Sequence, residues 1–295
     1  AAITYSSGYA TNLTVISTLM GRGDYVFSDK LNHASIVDGC LMSGAEFRRF
    51  RHNEMDHLEG LLKNAPADVA KLVIADSVFS MDGDIIDLPK MVALCKKYNA
   101  WLMIDEAHSV GVLGEKGTGI EEYYNLYGAI DIKMGTLSKT IPSAGGYVAG
   151  NEQLITFLKH EARAFIFSAA VPPPSAAAAL AAFDVIEEEP WRVKKVQENY
   201  KGFANKLREA GFDLLQTETA IVPIVCGDVE PAVRLANHCQ RNGIFVQAIV
   251  APVVPAHLSR LRACVLASHT KEDLDYCANV MIEGGRALGI IPNAV

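Results

Sequence analysis

The sequence predicts an α/β fold, with a mainly parallel sheet flanked by helices and a smaller α+β domain at the C-terminal end, from three observations. Short apolar runs rich in β-branched residues alternate with helical-period segments as far as Ala149, the pattern of βαβ units. The proline run Pro172-Pro173-Pro174 then opens a stretch of changed composition, with longer helical segments. The chain has 295 residues, half of them hydrophobic, enough for one large core and one smaller one. The expected division is residues 1–172 and 173–295.

Each element has its own reason. Ala1-Ala2-Ile3-Thr4-Tyr5 reads as a strand already inside a fold; with no initiator Met before it, an upstream segment is expected to have been removed. Residues 11–20 follow with helical period, and residues 25–27, 46–50 and 71–76 are short apolar strands separated by helices over 35–43 and 55–63. A helix over 88–98 precedes the strand 101–105, and strands 130–135 and 146–149 complete the sheet. Past the prolines, 175–189 reads as a helix and 191–210 as a long amphipathic one that stops at Gly211. Strands over 220–226, 244–249 and 262–266 and helices over 230–242 and 271–288 make up the second domain.

The bulk properties exclude several classes. The formal charge is 27 − 34 = −7 with no long basic block, so nothing recruits a nucleic-acid backbone or an anionic membrane surface. The six cysteines form no C-x-x-C pair, which argues against zinc and against a disulfide framework and favours reduced thiols in a cytoplasmic protein. No apolar run approaches the roughly 18 residues of a membrane span. The Ala-rich stretch that begins at Ser175 is short and ends in Glu187-Glu188-Glu189.

The chemistry concentrates at predicted strand ends. Lys139 closes Gly135-Thr136-Leu137-Ser138-Lys139, and Asp105 opens Asp105-Glu106-Ala107-His108. A lysine that forms a Schiff base and a carboxylate that keeps a pyridinium nitrogen protonated are what pyridoxal 5′-phosphate (PLP) requires. Ser6-Ser7-Gly8-Tyr9-Ala10-Thr11-Asn12 joins a strand to a helix, and the amides of a helix start suit a phosphate. Thr136, Ser138 and Gly145-Gly146 add a polar, backbone-exposed wall. His108 could bond Asp105 or the cofactor's phenolic oxygen; His33, between a strand and a helix, could stack on an aromatic ring. Arg262 could offer a guanidinium fork to a carboxylate, with Arg260 as the alternative. Each of these residues taken alone also has an ordinary structural reading, a helix cap, a core histidine or a solvated lysine.

Taken in order, these segments resemble the α-oxoamine synthase family of fold-type I PLP-dependent enzymes over essentially the whole chain. Ser6-Ser7-Gly8-Tyr9-Ala10-Thr11-Asn12 is similar to the family's phosphate loop, His33 to its ring-stacking histidine, and Val78-Phe79-Ser80-Met81-Asp82-Gly83-Asp84 to a signature whose serine lies near the cofactor. The resemblance implies that Gly8, Tyr9 and Thr136 hold the phosphate, Asp105 pairs with the pyridine nitrogen, and Ser80 and His108 contact the ring and its oxygen. It implies Lys139 as the Schiff-base lysine and acceptor of the Cα proton, His33 and His108 as aids to proton transfer, and Arg262 as the holder of the amino-acid carboxylate. The implied reaction is a decarboxylative condensation of an amino acid with an acyl thioester of coenzyme A or acyl carrier protein, giving an α-aminoketone. A homodimer is expected. Val253 and His257 stand where many members carry threonine and glycine. An aminotransferase or aldolase on the same fold, or an inactive truncated partner subunit, are the alternatives.

Overall fold

The computed structural model describes residues 1–293, and the chain divides into two compact units. The first comprises Ala1–Phe79 and Ile86–Pro190; the second comprises Ser80–Ile85 and the chain from Trp191 onward.

The first unit contains, in order, β1 (Ala2–Tyr5), α1 (Gly8–Leu19), β2 (Tyr25–Asp29), α2 (Ala34–Ser43), β3 (Glu46–Phe50), α3 (Met55–Lys63), β4 (Lys71–Asp76) and α4 (Leu88–Lys97). It continues with β5 (Trp101–Asp105), α5 (Ile120–Tyr124), β6 (Ile132–Ser138), β7 (Pro142–Gly150), α6 (Glu152–Glu161), α7 (Arg163–Ile166) and α8 (Pro173–Glu188). The seven strands form one sheet in the order β1-β7-β6-β5-β4-β2-β3. From β3 to β6 every pairing is parallel, and β7 runs antiparallel to both β6 and β1. All six residues of β4 are buried, as expected of a central parallel strand covered on both faces. Ile16, Ile36, Leu72, Ile74, Met103, Ile132 and Val148 share one core between the sheet and the helices.

Parallel pairing sends β2, β4, β5 and β6 out at one edge of the sheet. They end on Asp29, Asp76, Asp105 and Ser138, with Asp76 and Asp105 in direct register. In an open α/β sheet this carboxyl edge is where ligands collect.

Strands β3, β4 and β5 and helix α3 have the limits predicted from the sequence. β6 starts later than expected and runs on to Ser138, because its pairing with β7 continues past an irregularity between Thr136 and Ser138. The expected domain boundary at the prolines moves to the far side of α8. Ala179 of that helix packs with Leu137, Ile141, Tyr147 and Phe183, so α8 belongs to the first unit. The predicted list omits α6, although Asn151 caps it and Leu154, Ile155 and Leu158 form its buried stripe.

The second unit contains α9 (Trp191–Glu209), β8 (Ile221–Gly227), α10 (Val229–Arg241), β9 (Gln247–Ile249), β10 (Ser259–Cys264) and α11 (Lys271–Ala287). Its antiparallel sheet runs β8-β10-β9 over a core that includes Phe203, Leu207, Ile224, Leu235, Leu261 and Met281. The expected strand at 262–266 begins earlier, at Ser259, and that at 244–249 is reduced to β9. The inserted Ser80–Ile85 segment is strapped down by Glu218 N–H at 3.1 Å and Thr219 Oγ1 at 2.9 Å, both donating to the Gly83 carbonyl. Only glycine fits there: φ is +74°, and a Cβ would lie 2.1 Å from the Ile221 carbonyl oxygen. Among the described residues no helix is long and apolar enough to cross a membrane.

Candidate active site

Helix α1 begins at a sharp cap. Ser7 Oγ accepts from Ala10 N–H at 3.1 Å, and the Ser7 carbonyl accepts from Thr11 N–H at 3.0 Å. The amides of Gly8 and Tyr9 lie ahead of the helix's own hydrogen-bond ladder, where a positive dipole end and spare donors favour an anion. Thr136 of β6 stands against this start. A Cβ on Gly8 would lie 2.9 Å from Thr136 Oγ1, and one on Gly146 would lie 2.4 Å from Thr11 Oγ1. Thr136 Oγ1 is itself 3.0 Å from Ser138 Oγ. Backbone amides and hydroxyls thus meet in a space kept open by missing side chains, a donor set that fits a phosphate.

Asp105, at the end of β5, is 4% exposed and accepts on both oxygens: Asn12 Nδ2 donates to Oδ2 at 2.7 Å and Ala107 N–H to Oδ1 at 2.9 Å. A buried carboxylate without such partners would be costly. Lys139 follows the last residue of β6, and its Nζ lies 2.9 Å from His108 Nε2. The His108 imidazole therefore stands at the lysine amine. Amine, imidazole and held carboxylate sit on or just beyond the ends of adjacent strands, which fits a pyridine aldehyde with charge at its ring nitrogen.

His33 caps α2, its Nδ1 accepting from Ser35 N–H at 3.2 Å and lying 2.8 Å from Ser35 Oγ. Tyr9 meets it edge-on at 6.3 Å between ring centroids, and the Tyr9 hydroxyl donates to Asp38. Partial burial holds the His33 imidazole below its usual range; the charge of Asp105 opposes this and that of Lys139 adds to it.

Sequence reasoning assigned no role to Asp76, Asn12 or Ser35. Asp76 is buried, and its Oδ2 accepts from His33 N–H at 2.9 Å. Burial, and then the charge of Asp105 in register beside it, push its carboxyl well above its ordinary value. The signal was a carboxylate closing an apolar strand, the same that marks Asp105. Asn12 and Ser35 left no such signal, since their meaning lies in contacts far apart in sequence.

Ser80 and Arg262 lie in the second unit, where Arg262 Nε donates to the Ser80 carbonyl and Nη1 to Cys264 Sγ at 2.9 Å. Arg260, the other candidate, is 2% exposed and committed: it bonds Asp82, the Met81 carbonyl at 3.1 Å and the Leu258 carbonyl at 2.9 Å. That leaves Arg262 as the partly exposed guanidinium of the pair.

The model of the aminotransferase class I and II family matches residues 1–281. The 8-amino-7-oxononanoate synthase of Thermoanaerobacter pseudethanolicus is 44% identical over 99% of this chain and 74% of its own length. Among solved structures, a serine palmitoyltransferase from S. paucimobilis with bound PLP–myriocin superposes with a TM-score of 0.95 at 36% identity, covering 99% of this chain and 74% of that one. The 8-amino-7-oxononanoate synthase of Francisella tularensis gives 0.85 at 28%, covering 97% and 82%. The chain belongs to the aminotransferase class I and II family and, within it, to the α-oxoamine synthases.

Proposed function

We propose that the protein is a PLP-dependent acyltransferase that condenses an amino acid with an acyl thioester, of coenzyme A or a carrier protein, releasing carbon dioxide and an α-aminoketone. The reaction of 8-amino-7-oxononanoate synthase is the form best supported, by identity over nearly the full chain. The single observation that carries the reading is the placement of Lys139 and the doubly held Asp105 at the ends of adjacent strands, beside a helix start opened by Gly8.

PLP, when bound, supplies an electron sink for negative charge at the amino acid's Cα. The α1 amides of Gly8 and Tyr9 and the Thr136 hydroxyl hold its phosphate. Asp105 places a fixed negative charge for the ring nitrogen, and the His33 ring offers a flat face. Lys139 would hold the cofactor's aldehyde carbon and, as a free amine, would take the Cα proton. His108, 2.9 Å from Lys139 Nζ, can pass that proton on. Ser80 near the ring and Arg262 on the substrate carboxylate complete the assignment, with the guanidinium steadied through Nε. A homodimer and a cytoplasmic location belong to the same proposal; the free thiols of all six cysteines accord with a reducing compartment.

The test combines spectrum and product. The purified protein with PLP should develop a visible band that borohydride fixes onto Lys139, and Lys139→Ala should lose both the band's attachment and at least about 10³-fold in turnover. Carbon dioxide should be released from a carboxyl-labelled amino acid only when an acyl thioester is present. Keto-acid exchange without a thioester would mean transamination instead.

A further inference from the structure

A buried hydrogen-bond chain joins the carboxylate at the end of β5 to the imidazole at the start of α2. Its two middle members, Asn12 and Ser35, are each 1% exposed. Asn12 Nδ2 has two hydrogens, and both are placed: one on Asp105 Oδ2 at 2.7 Å, the other on Ser35 Oγ at 3.0 Å. Ser35 Oγ accepts there and still has its own hydrogen to give, and His33 Nδ1 lies 2.8 Å away. The Ser35 backbone N–H, which can only donate, points at the same nitrogen from 3.2 Å. Nδ1 is therefore an acceptor twice over, and a neutral imidazole must carry its proton on Nε2. The remaining atom of the relay, Asn12 Oδ1, is buried without a partner. Flipping the amide would set one acceptor against another at Asp105, so the orphaned oxygen follows from aiming both hydrogens outward.

We propose that Asn12 and Ser35 act as one positioning unit: Asn12 orients Asp105 and, through Ser35, holds His33 as the neutral Nε2–H tautomer. The site then keeps one acceptor and one donor of fixed direction. The inference rests on the PLP reading for its purpose, though not for its geometry. The charged and titratable groups around His33 are Asp105 from β5, Lys139 after β6, Asp76 from β4, which accepts from the His33 N–H, and Tyr9 from α1. Asp105 alone among the charges acting on the imidazole favours a second proton there; burial and Lys139 oppose it.

The test is nitrogen NMR of ¹⁵N-histidine-labelled protein across the neutral pH range, before and after PLP loading. The unaltered protein should show His33 with bare Nδ1 and protonated Nε2, an outcome that needs no variant. Ser35→Ala should mix the tautomers and raise the His33 protonation constant roughly three- to tenfold, the size of one neutral hydrogen bond. Ser35→Thr should restore the parent behaviour. Asn12→Ala should move His33 in the same direction and weaken PLP retention about tenfold through Asp105. A proton on Nδ1 of the unaltered protein, or a Ser35→Ala variant that titrates like the parent, overturns the proposal. Absence of a PLP band in the unaltered protein would instead sink the functional reading and leave the tautomer result standing.

Discussion

In the first unit, buried carboxylates gather at the ends of neighbouring parallel strands, Asp29, Asp76 and Asp105; in the second, the largest buried polar side chain, Arg260, lies within an antiparallel strand. Amides and their like meet the carboxylates: Asp105 takes Asn12 and Ala107, and Asp76 takes the His33 N–H. Arg260 is met by Asp82 and the Met81 carbonyl, both of the segment it straps down, and by the Leu258 carbonyl. The two regions therefore spend polar burial differently. At the strand ends it leaves charge and protons available for chemistry, whereas inside β10 it is used up in holding Ser80–Ile85 in place.

The largest effect that could break this contrast belongs to Arg260. Arg260→Ala removes the partner of Asp82 and two carbonyls, and should cost about 3–5 kcal/mol in chemical denaturation without moving the PLP band. The neighbouring Arg262→Ala should cost under about 1 kcal/mol yet raise the KM for the amino acid. Equal destabilisation by the two would erase the distinction between strap and site.

Gly8→Ala comes next. The added methyl would sit 2.9 Å from Thr136 Oγ1 and 3.1 Å from its Cβ, so helix start and strand must part. PLP affinity by equilibrium dialysis should fall about tenfold, with little change in unfolding midpoint. An unchanged affinity would remove the helix start from the phosphate's binding set.

The smallest effect concerns Asp76. Its carboxyl keeps a proton in the fold to higher pH than in the unfolded chain, because of burial and then Asp105. The folded state binds the extra proton from about pH 4 upward, so stability falls as pH rises through that window. Asp76→Asn removes this dependence, and its thermal midpoint should pull ahead of the parent's as pH increases. Parallel midpoints at every pH would show that Asp76 ionises freely.

Much of this was legible in one dimension. β4 and β5 were bounded by their apolar runs, and Lys139 and Asp105 stood out as a pair, because a lysine and a carboxylate at neighbouring strand ends are what a pyridine aldehyde needs. The glycine loop before α1 could be read from local chemistry. His108 was placed in the site by the same reasoning, but not its bond to Lys139, which depends on how the loop after β5 meets the end of β6.

What the sequence alone determined is therefore periodic or local: which runs become strands, which helix a glycine loop opens, which strands close on a carboxylate. Only the tertiary structure decided that α8 packs on β7, that Arg260 rather than Arg262 is the buried strap, and that Asn12 reaches both Asp105 and Ser35. The reason is physical. Propensity and patterning act within a turn or a strand, while the choice among chemically similar side chains is made by burial and by partners brought near only when distant segments pack.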